Sequence, residues 1–473
     1  MTRTIKCDVC VIGAGSAGLS VASGAAQLGA RTILFEKGEM GGDCLNYGCV
    51  PSKALLAAAH AAQAAREMEQ FGIRVSQPDI DFHAVMKHMS DVIGAIAPHD
   101  SVERFEKLGV RVIRAQAQFT GPNELSGGDV RVRARRIVIA AGSSAVLPSI
   151  PGIEDVPVLT NETIFSLDER PDHLLIIGGG PIGVEMAQAF RRLGSKVTLF
   201  QSSRLLPRDE PVFVDILRER LHAEGVEIVE HAQIAGIRRF DGTIRVTLDG
   251  TGWETAGSHL LVAAGRRPRL EGLQLDKAGV AYSPQGITVD SRLRTTNRRV
   301  YALGDVIGRP QFTHTAGYQA GMVIRNALFR LPAKVDYRAL PWVTYSDPEL
   351  AHVGLTEAEA HTKFGASVRT VSADFADNDR AQTERQTSGG IRVVVDINGT
   401  ILGTTILGRN AGELIGLWGL AITQRLKLSA LTGVIFPYPT LGEISKAAAS
   451  AFYVPRLFSA WPRRLVRLLL WAT

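Results

Sequence analysis

The chain predicts an α/β fold, and three observations make the prediction. An apolar run, Asp8-Val-Cys-Val-Ile12, leads into Gly13-Ala-Gly-Ser-Ala-Gly18 and then into a helix of small residues. The same grammar returns at Leu174-Leu-Ile-Ile-Gly178-Gly-Gly180-Pro-Ile-Gly183. Beyond about residue 341 the pattern changes to short alternating strands, such as 391–396 and 401–407. Short apolar runs bounded by glycine read as buried strands of a parallel sheet. A chain of 473 residues is too long for one core and fits about three domains.

Each glycine-rich turn lies between a strand and a helix, the setting in which the pattern signals dinucleotide binding. In the first, Gly13 turns the chain, Gly15 lets backbone approach a pyrophosphate and Gly18 lets the helix pack on the strand. The next apolar run ends at Glu36, whose carboxylate can accept both hydroxyl hydrogen bonds of an adenosine ribose. Gly178, Gly180 and Gly183 repeat the three roles. The run that follows them ends at Gln201, with Arg204 and Arg208 close behind. Without an acid at 201 a ribose 2′-phosphate is not repelled, and the guanidiniums could bind it. NADPH is therefore expected ahead of NADH.

Cys44 and Cys49 follow the first unit in Gly41-Gly-Asp-Cys-Leu-Asn-Tyr-Gly-Cys-Val-Pro-Ser-Lys53. A straight helix would separate residues five apart by about 7.5 Å along its axis. Disulfide Cα atoms usually lie roughly 4.4–6.8 Å apart, so the chain must bend, and Gly48 permits it. Pro51, Ser52 and the Ala/Leu-rich run beyond them read as a helix start, whose positive end favours a thiolate. The pair reads as a redox switch rather than a structural crosslink. Cys7 and Cys10 are read as buried structural residues, pointing to opposite faces of a strand.

Composition narrows the class. Hydrophobic residues make up 45% and charged residues 21%, as in a globular protein. Four cysteines cannot staple a secreted scaffold, and no apolar run has the roughly eighteen residues of a membrane span. The apolar start runs straight into the nucleotide motif, which argues against a signal peptide. A cytoplasmic protein is expected. The net charge of +6 suits phosphorylated cofactors or an anionic surface, and no nucleic-acid module is visible. No metal site is expected.

The thiol segment and the ordered motifs around it resemble the class I flavoprotein disulfide reductases, the family of dihydrolipoamide dehydrogenase, glutathione reductase and mercuric reductase. The resemblance implies two Rossmann-like dinucleotide-binding domains and a C-terminal α+β dimerisation domain. It places an FAD-binding part at 1–150, an NAD(P)-binding domain at 151–270, a central FAD-binding part at 271–340, an interface domain at 341–450 and a basic apolar tail at 451–473. It implies FAD in the first site and NADP, or NAD, in the second. Ile137-Val-Ile-Ala-Ala-Gly142 and Leu260-Leu-Val-Ala-Ala-Gly265 resemble crossover strands at domain junctions. Asp305 would bind the flavin's ribityl chain. Lys53 and Glu185 would pair beside the flavin, with Cys49 the thiolate nearest it and Cys44 exchanging with substrate. A homodimer is implied, with Tyr438 and Glu443 reaching the partner's site. His314 is given no chemistry.

One departure bears on specificity. Disulfide-reducing members carry a His-Pro-Thr-x-x-Glu segment, whereas this chain reads Phe436-Pro-Tyr438-Pro-Thr-Leu-Gly-Glu443. Tyrosine titrates near pH 10 and is a poor base at neutrality. Mercuric reductases resemble the chain better here, yet they carry paired C-terminal cysteines and this chain has none after Cys49. The expected function is transfer of electrons from NADPH through FAD and the thiols to a small-molecule or metal-ion acceptor, mercuric-reductase-like first and dihydrolipoamide-dehydrogenase-like second. A diaphorase or quinone reductase that ignores the dithiol, and a non-catalytic nucleotide sensor, are the alternatives of other classes. The tail from 452 to 471 mixes four arginines with leucines and aromatics. It reads first as packing against the dimer and second as contact with an anionic membrane.

Overall fold

The computed structural model describes residues 3–250 and 252–472. They form two compact units, one running to Ser202 and resuming at Val226–Val335, the other built from Ser203–Gly225 and the chain from Asp336 onward.

The first unit begins with strand β1 (Arg3–Ile12), helix α1 (Ser16–Gln27) and strand β2 (Thr32–Glu36). Helices α2 (Gly42–Asn46) and α3 (Cys49–Glu67) follow, then strands β3 (Val110–Arg114), β4 (Gln118–Gly121), β5 (Glu124–Gly127) and β6 (Val130–Ile139). The sheet order is β3-β2-β1-β6-β5-β4, with Val300–Ala302 pairing parallel to β6. β1, β2, β3 and β6 are mutually parallel, which a buried apolar run favours, because helices and loops cover both faces. A second parallel sheet runs Val226–Val229, Lys196–Phe200, His173–Ile177, His259–Val262 and Val158–Leu159. Helix Pro181–Arg192 follows its middle strand.

β1 supplies both faces of its sheet. Val9 and Val11 enter one core cluster, while Cys10 and Ile12 enter the other. Strict alternation would put Cys7 opposite Cys10, but the structure places both sulfurs in the same core, 3% and 0% exposed. The reason lies at Asp8. The amides of Asp8 and Val9 both donate to the Arg31 carbonyl, an irregularity that shifts the side-chain period by one residue.

The other unit centres on an antiparallel sheet ordered Pro341–Thr344, Glu349–Gly354, Ile401–Gly408, Gly390–Asp396 and Val368–Asp374. Helices Ala411–Thr423 and Glu443–Ala451 share its core, where Trp418 is fully buried and its indole N–H donates to Ser445 Oγ at 3.2 Å. Among the described residues no helix is long and apolar enough to cross a membrane.

Candidate active site

The two glycine-rich turns fold alike, and their glycines serve different ends. A Cβ on Gly18 would meet the Gly13 carbonyl oxygen at 1.8 Å, and one on Gly183 would meet the Gly178 carbonyl oxygen at 1.8 Å. These positions are glycine because helix and strand touch there. By contrast a Cβ on Gly180 would meet nothing within 4 Å, and one on Gly15 only Gly42 Cα at 3.9 Å. The protein leaves that space open, as a pyrophosphate approaching the backbone requires. At the tip of β2, Glu36 accepts hydrogen bonds from the amides of Ala14 and Gly38. Gln201 occupies the matching place in the second turn, its Oε1 accepting from Gly179 N at 2.8 Å. The residues present therefore fit two dinucleotides.

Arg204 and Arg208 fall in the other unit. There the Arg204 guanidinium faces Asp215 at 3.8 Å and its Nε is buried without a hydrogen-bond partner. Arg208 is exposed.

The thiol segment folds directly against the first glycine turn. Gly41 N donates to Ala14 O at 2.9 Å, and Gly42, at φ +61°, lies so close that a Cβ would come within 2.6 Å of Gly15 Cα. Cys44 sits in the single turn of α2. Cys49 is the first residue of α3, so the helix begins two residues before Pro51. The bend at Gly48 needs no left-handed backbone, since its φ is −135°. Glycine relieves crowding there: a Cβ would stand 3.0 Å from both an oxygen of the Asp43 carboxylate and the Asp43 carbonyl.

The two sulfurs differ in acidity. Hydrogen bonding to Cys44, then to Thr313 Oγ1 at 3.5 Å, and the charge of Lys53 outweigh burial and bring Cys49 down to about 6. The partnership with Cys49 and burial push the Cys44 thiol up. Lys53 Nζ donates to Glu185 Oε2 at 2.8 Å, the carboxylate side chain only 6% exposed. The expected pair of Lys53 and Glu185 is thus formed, between α3 and helix Pro181–Arg192.

A polar chain runs from the thiol segment to Asp305. Asn161 Nδ2 donates to Asp43 Oδ1 at 2.9 Å and to the Tyr47 carbonyl at 3.2 Å. Arg266 Nη2 lies 3.0 Å from the same Asp43 oxygen, and Arg266 Nε donates to Ser143 Oγ at 2.8 Å. Ser143 in turn donates to Asp305 Oδ2 at 2.6 Å. Burial raises the Asp305 carboxyl, against the hydrogen bond from Ser143 and the charge of Arg266. Gly142 and Gly265 immediately precede the short antiparallel pair Ser143–Ala145 and Arg266–Pro268, which brings Ser143 and Arg266 together.

Asp43, Asn161, Ser143, Arg266 and Thr313 were not singled out from the sequence. Asp43 touches Cys44 in sequence, and Arg266 and Ser143 follow the two crossover glycines, so position relative to a motif was the available signal. Thr313 had none. Its neighbour His314 stacks on Phe312, ring centroids 5.2 Å apart.

Tyr438 and Glu443 lie in the sheet-rich unit. The Tyr438 hydroxyl donates to Asp379 Oδ2 at 2.8 Å, which raises its pKa, and the ring is 72% exposed. Glu443 accepts from Thr440 N at 3.3 Å.

Comparison with known proteins identifies the family. The pyridine nucleotide-disulphide oxidoreductase family matches residues 7–320, and its dimerisation domain matches 340–449. Over 455 residues the chain is 36% identical to the mercuric reductase of Streptomyces lividans, covering 94% of this chain and 96% of that protein. It is 34% identical over 457 residues to the dihydrolipoyl dehydrogenase of Geobacillus stearothermophilus, with 94% and 96% covered. Its fold matches a Cu(II) complex of the HOCl-induced flavoprotein disulfide reductase RclA from Escherichia coli with a TM-score of 0.85, at 29% identity over 94% of this chain and 99% of that one. Because the likeness extends through both the nucleotide-binding part and the dimerisation part, the chain belongs to the pyridine nucleotide-disulphide oxidoreductases, a family of FAD-dependent enzymes.

Proposed function

We propose that this protein is a homodimeric enzyme that passes electrons from NADPH through FAD to the Cys44/Cys49 pair, and from there to a thiol-reactive acceptor, with Hg(II) the first candidate. The observation that carries the reading is the placement of Cys44 and Cys49 against the first glycine turn, with the Lys53–Glu185 pair one helical turn beyond Cys49. Bound FAD would supply the electron pair that opens the disulfide. Two electrons and one proton convert the disulfide to one thiolate and one thiol, and the surroundings favour the charge on Cys49 and the proton on Cys44. Lys53, held by Glu185, supplies positive charge toward Cys49. A soft thiolate pair suits a soft metal ion as substrate. Among the described residues no cluster of three metal-ligating side chains exists, so the thiols themselves would have to capture it.

Residue 438 favours Hg(II) over a disulfide. A phenol whose pKa is raised by Asp379 does not exchange protons with thiols near neutrality, whereas metal capture needs no such base. The match to dihydrolipoyl dehydrogenase supports the second reading, lipoamide reduction. Within this proposal FAD occupies 1–150 with 271–340, the nicotinamide nucleotide 151–270, and 341–450 forms the dimer interface. The dimerisation-domain match supports the dimer. A cytoplasmic setting accompanies the reading, since a cycling dithiol needs a reducing compartment.

The test is an acceptor screen with purified holoenzyme and NADPH, covering Hg(II), Cu(II), lipoamide, glutathione disulfide and a quinone. Hg(II)-dependent NADPH oxidation abolished by Cys44→Ala supports the proposal. Quinone reduction alone, retained in Cys44→Ala, would show a diaphorase instead.

A further inference from the structure

The family match ends at residue 449, ahead of helix Ala460–Trp471. Helix Ala460–Trp471 buries none of its residues. At 100° per residue its charged and apolar side chains separate, except that Trp471 at the C-terminal end falls on the arginine side. Arg463, Arg464 and Arg467 fall within an arc of about 100°, and Trp461, Leu465, Val466, Leu468, Leu469 and Leu470 fill an opposite arc of about 200°. Trp461 is 71% exposed and Leu470 72%. An exposed apolar face this wide marks a contact surface.

Charge identifies the occupant. No aspartate or glutamate follows Glu443, while Lys446, Arg456, Arg463, Arg464 and Arg467 all do. Pairing with the same helix of a second copy would set these unopposed arginines against one another. An anionic surface neutralises them. Crossing would carry Arg463, Arg464 and Arg467 into the hydrocarbon core, so the helix would lie in the interface plane instead. Its arginines can reach headgroups while leucines sink below them, and Trp461, at the edge of the apolar arc near Arg464, suits the polar–apolar boundary.

We propose that helix Ala460–Trp471 is an interfacial helix that docks the enzyme on membranes rich in anionic phospholipid. A dimer would carry two such helices, and the second engages at high effective concentration once the first is bound.

The experiment is co-sedimentation of the full-length holoenzyme with vesicles of phosphatidylcholine alone or mixed equally with phosphatidylglycerol. Wild type should pellet with the anionic vesicles and be released as salt rises. Replacing Arg463, Arg464 and Arg467 together by Gln should lower partitioning about 100-fold. Leu465→Asp with Leu469→Asp should abolish it, flavin content and NADPH oxidation being unchanged in both variants. Failure of wild type to pellet, or equal binding by the variants, overturns the proposal. Light scattering gives the other adverse outcome: if the leucine variant falls from dimer to monomer, the face is seated on a second copy.

Discussion

Cys49 receives hydrogen bonds from Cys44 and Thr313 and lies in the field of Lys53, and these outweigh burial and the Asp43 charge. Its pKa is lowered, so the anion is present above about 6 and is lost as pH falls through that value. The two-electron-reduced holoenzyme should therefore show long-wavelength thiolate-to-flavin absorbance that titrates with a midpoint of about 6. Cys49→Ser should lack the band, and Thr313→Val should move the midpoint upward. A band that survives Cys49→Ser would transfer the role to Cys44. Gln201 offers a second residue-scale test. Because Gln201 takes the place that Glu36 holds in the first turn, Gln201→Glu would put a carboxylate where a 2′-phosphate must come. KM for NADPH should rise by about 10-fold or more, equivalent to at least ~1.4 kcal/mol, with KM for NADH little changed. A wild-type enzyme that already prefers NADH would remove the basis of this prediction.

At the scale of elements, the glycine turns allow a paired test that separates folding from ligand binding. Gly18→Ala must push against the Gly13 carbonyl and should cost about 1–3 kcal/mol, visible as a lowered Tm. Gly15→Ala meets only Gly42 Cα at 3.9 Å, so the chain should fold normally yet purify with less flavin. Equal Tm losses in the two variants would show that Gly15 too is fixed by packing. This division also explains what was legible in the sequence. Strand, turn and helix are local, so β1, β2 and the helices after each turn could be read from glycine spacing and apolar runs. The Lys53–Glu185 pair was legible only through family likeness, since 132 residues separate its members. The chain from Asp43 through Arg266 and Ser143 to Asp305 joins four distant segments, and no periodicity marks it. The shared core of Cys7 and Cys10 was misread because alternation assumes an unbroken ladder, and Asp8 breaks it. Cutting the polar chain by Arg266→Met should leave Asp43 without its cationic partner. Since the Asp43 charge opposes the Cys49 thiolate, the absorbance midpoint should rise, while Arg266→Lys keeps it near the wild-type value.

In the proposed dimer the 436–443 segment would reach the partner's site, so acceptor specificity is a question for the assembly. If a proton-exchanging base is what the chain lacks, Tyr438→His should create one. Family resemblance would give Glu443 the task of orienting that ring. The structure offers a different partner: the residue 438 side chain is bonded to Asp379, while Glu443 accepts the Thr440 amide at a helix start. An imidazole at 438 beside the Asp379 carboxylate would have its cation stabilised, placing its titration nearer neutrality than the phenol it replaces. A positioned acid/base is worth about 10²–10⁴-fold. Lipoamide or glutathione disulfide reduction should rise within that range in Tyr438→His, and the gain should fall in Tyr438→His combined with Asp379→Asn. Hg(II)-dependent NADPH oxidation should change little, since metal capture by Cys44 and Cys49 does not use the base. No gain on either disulfide would locate the specificity in the pocket around the thiols. High disulfide turnover by the wild type would be the more damaging result, because the enzyme would then work without the base and dihydrolipoamide would displace Hg(II) as its first candidate substrate.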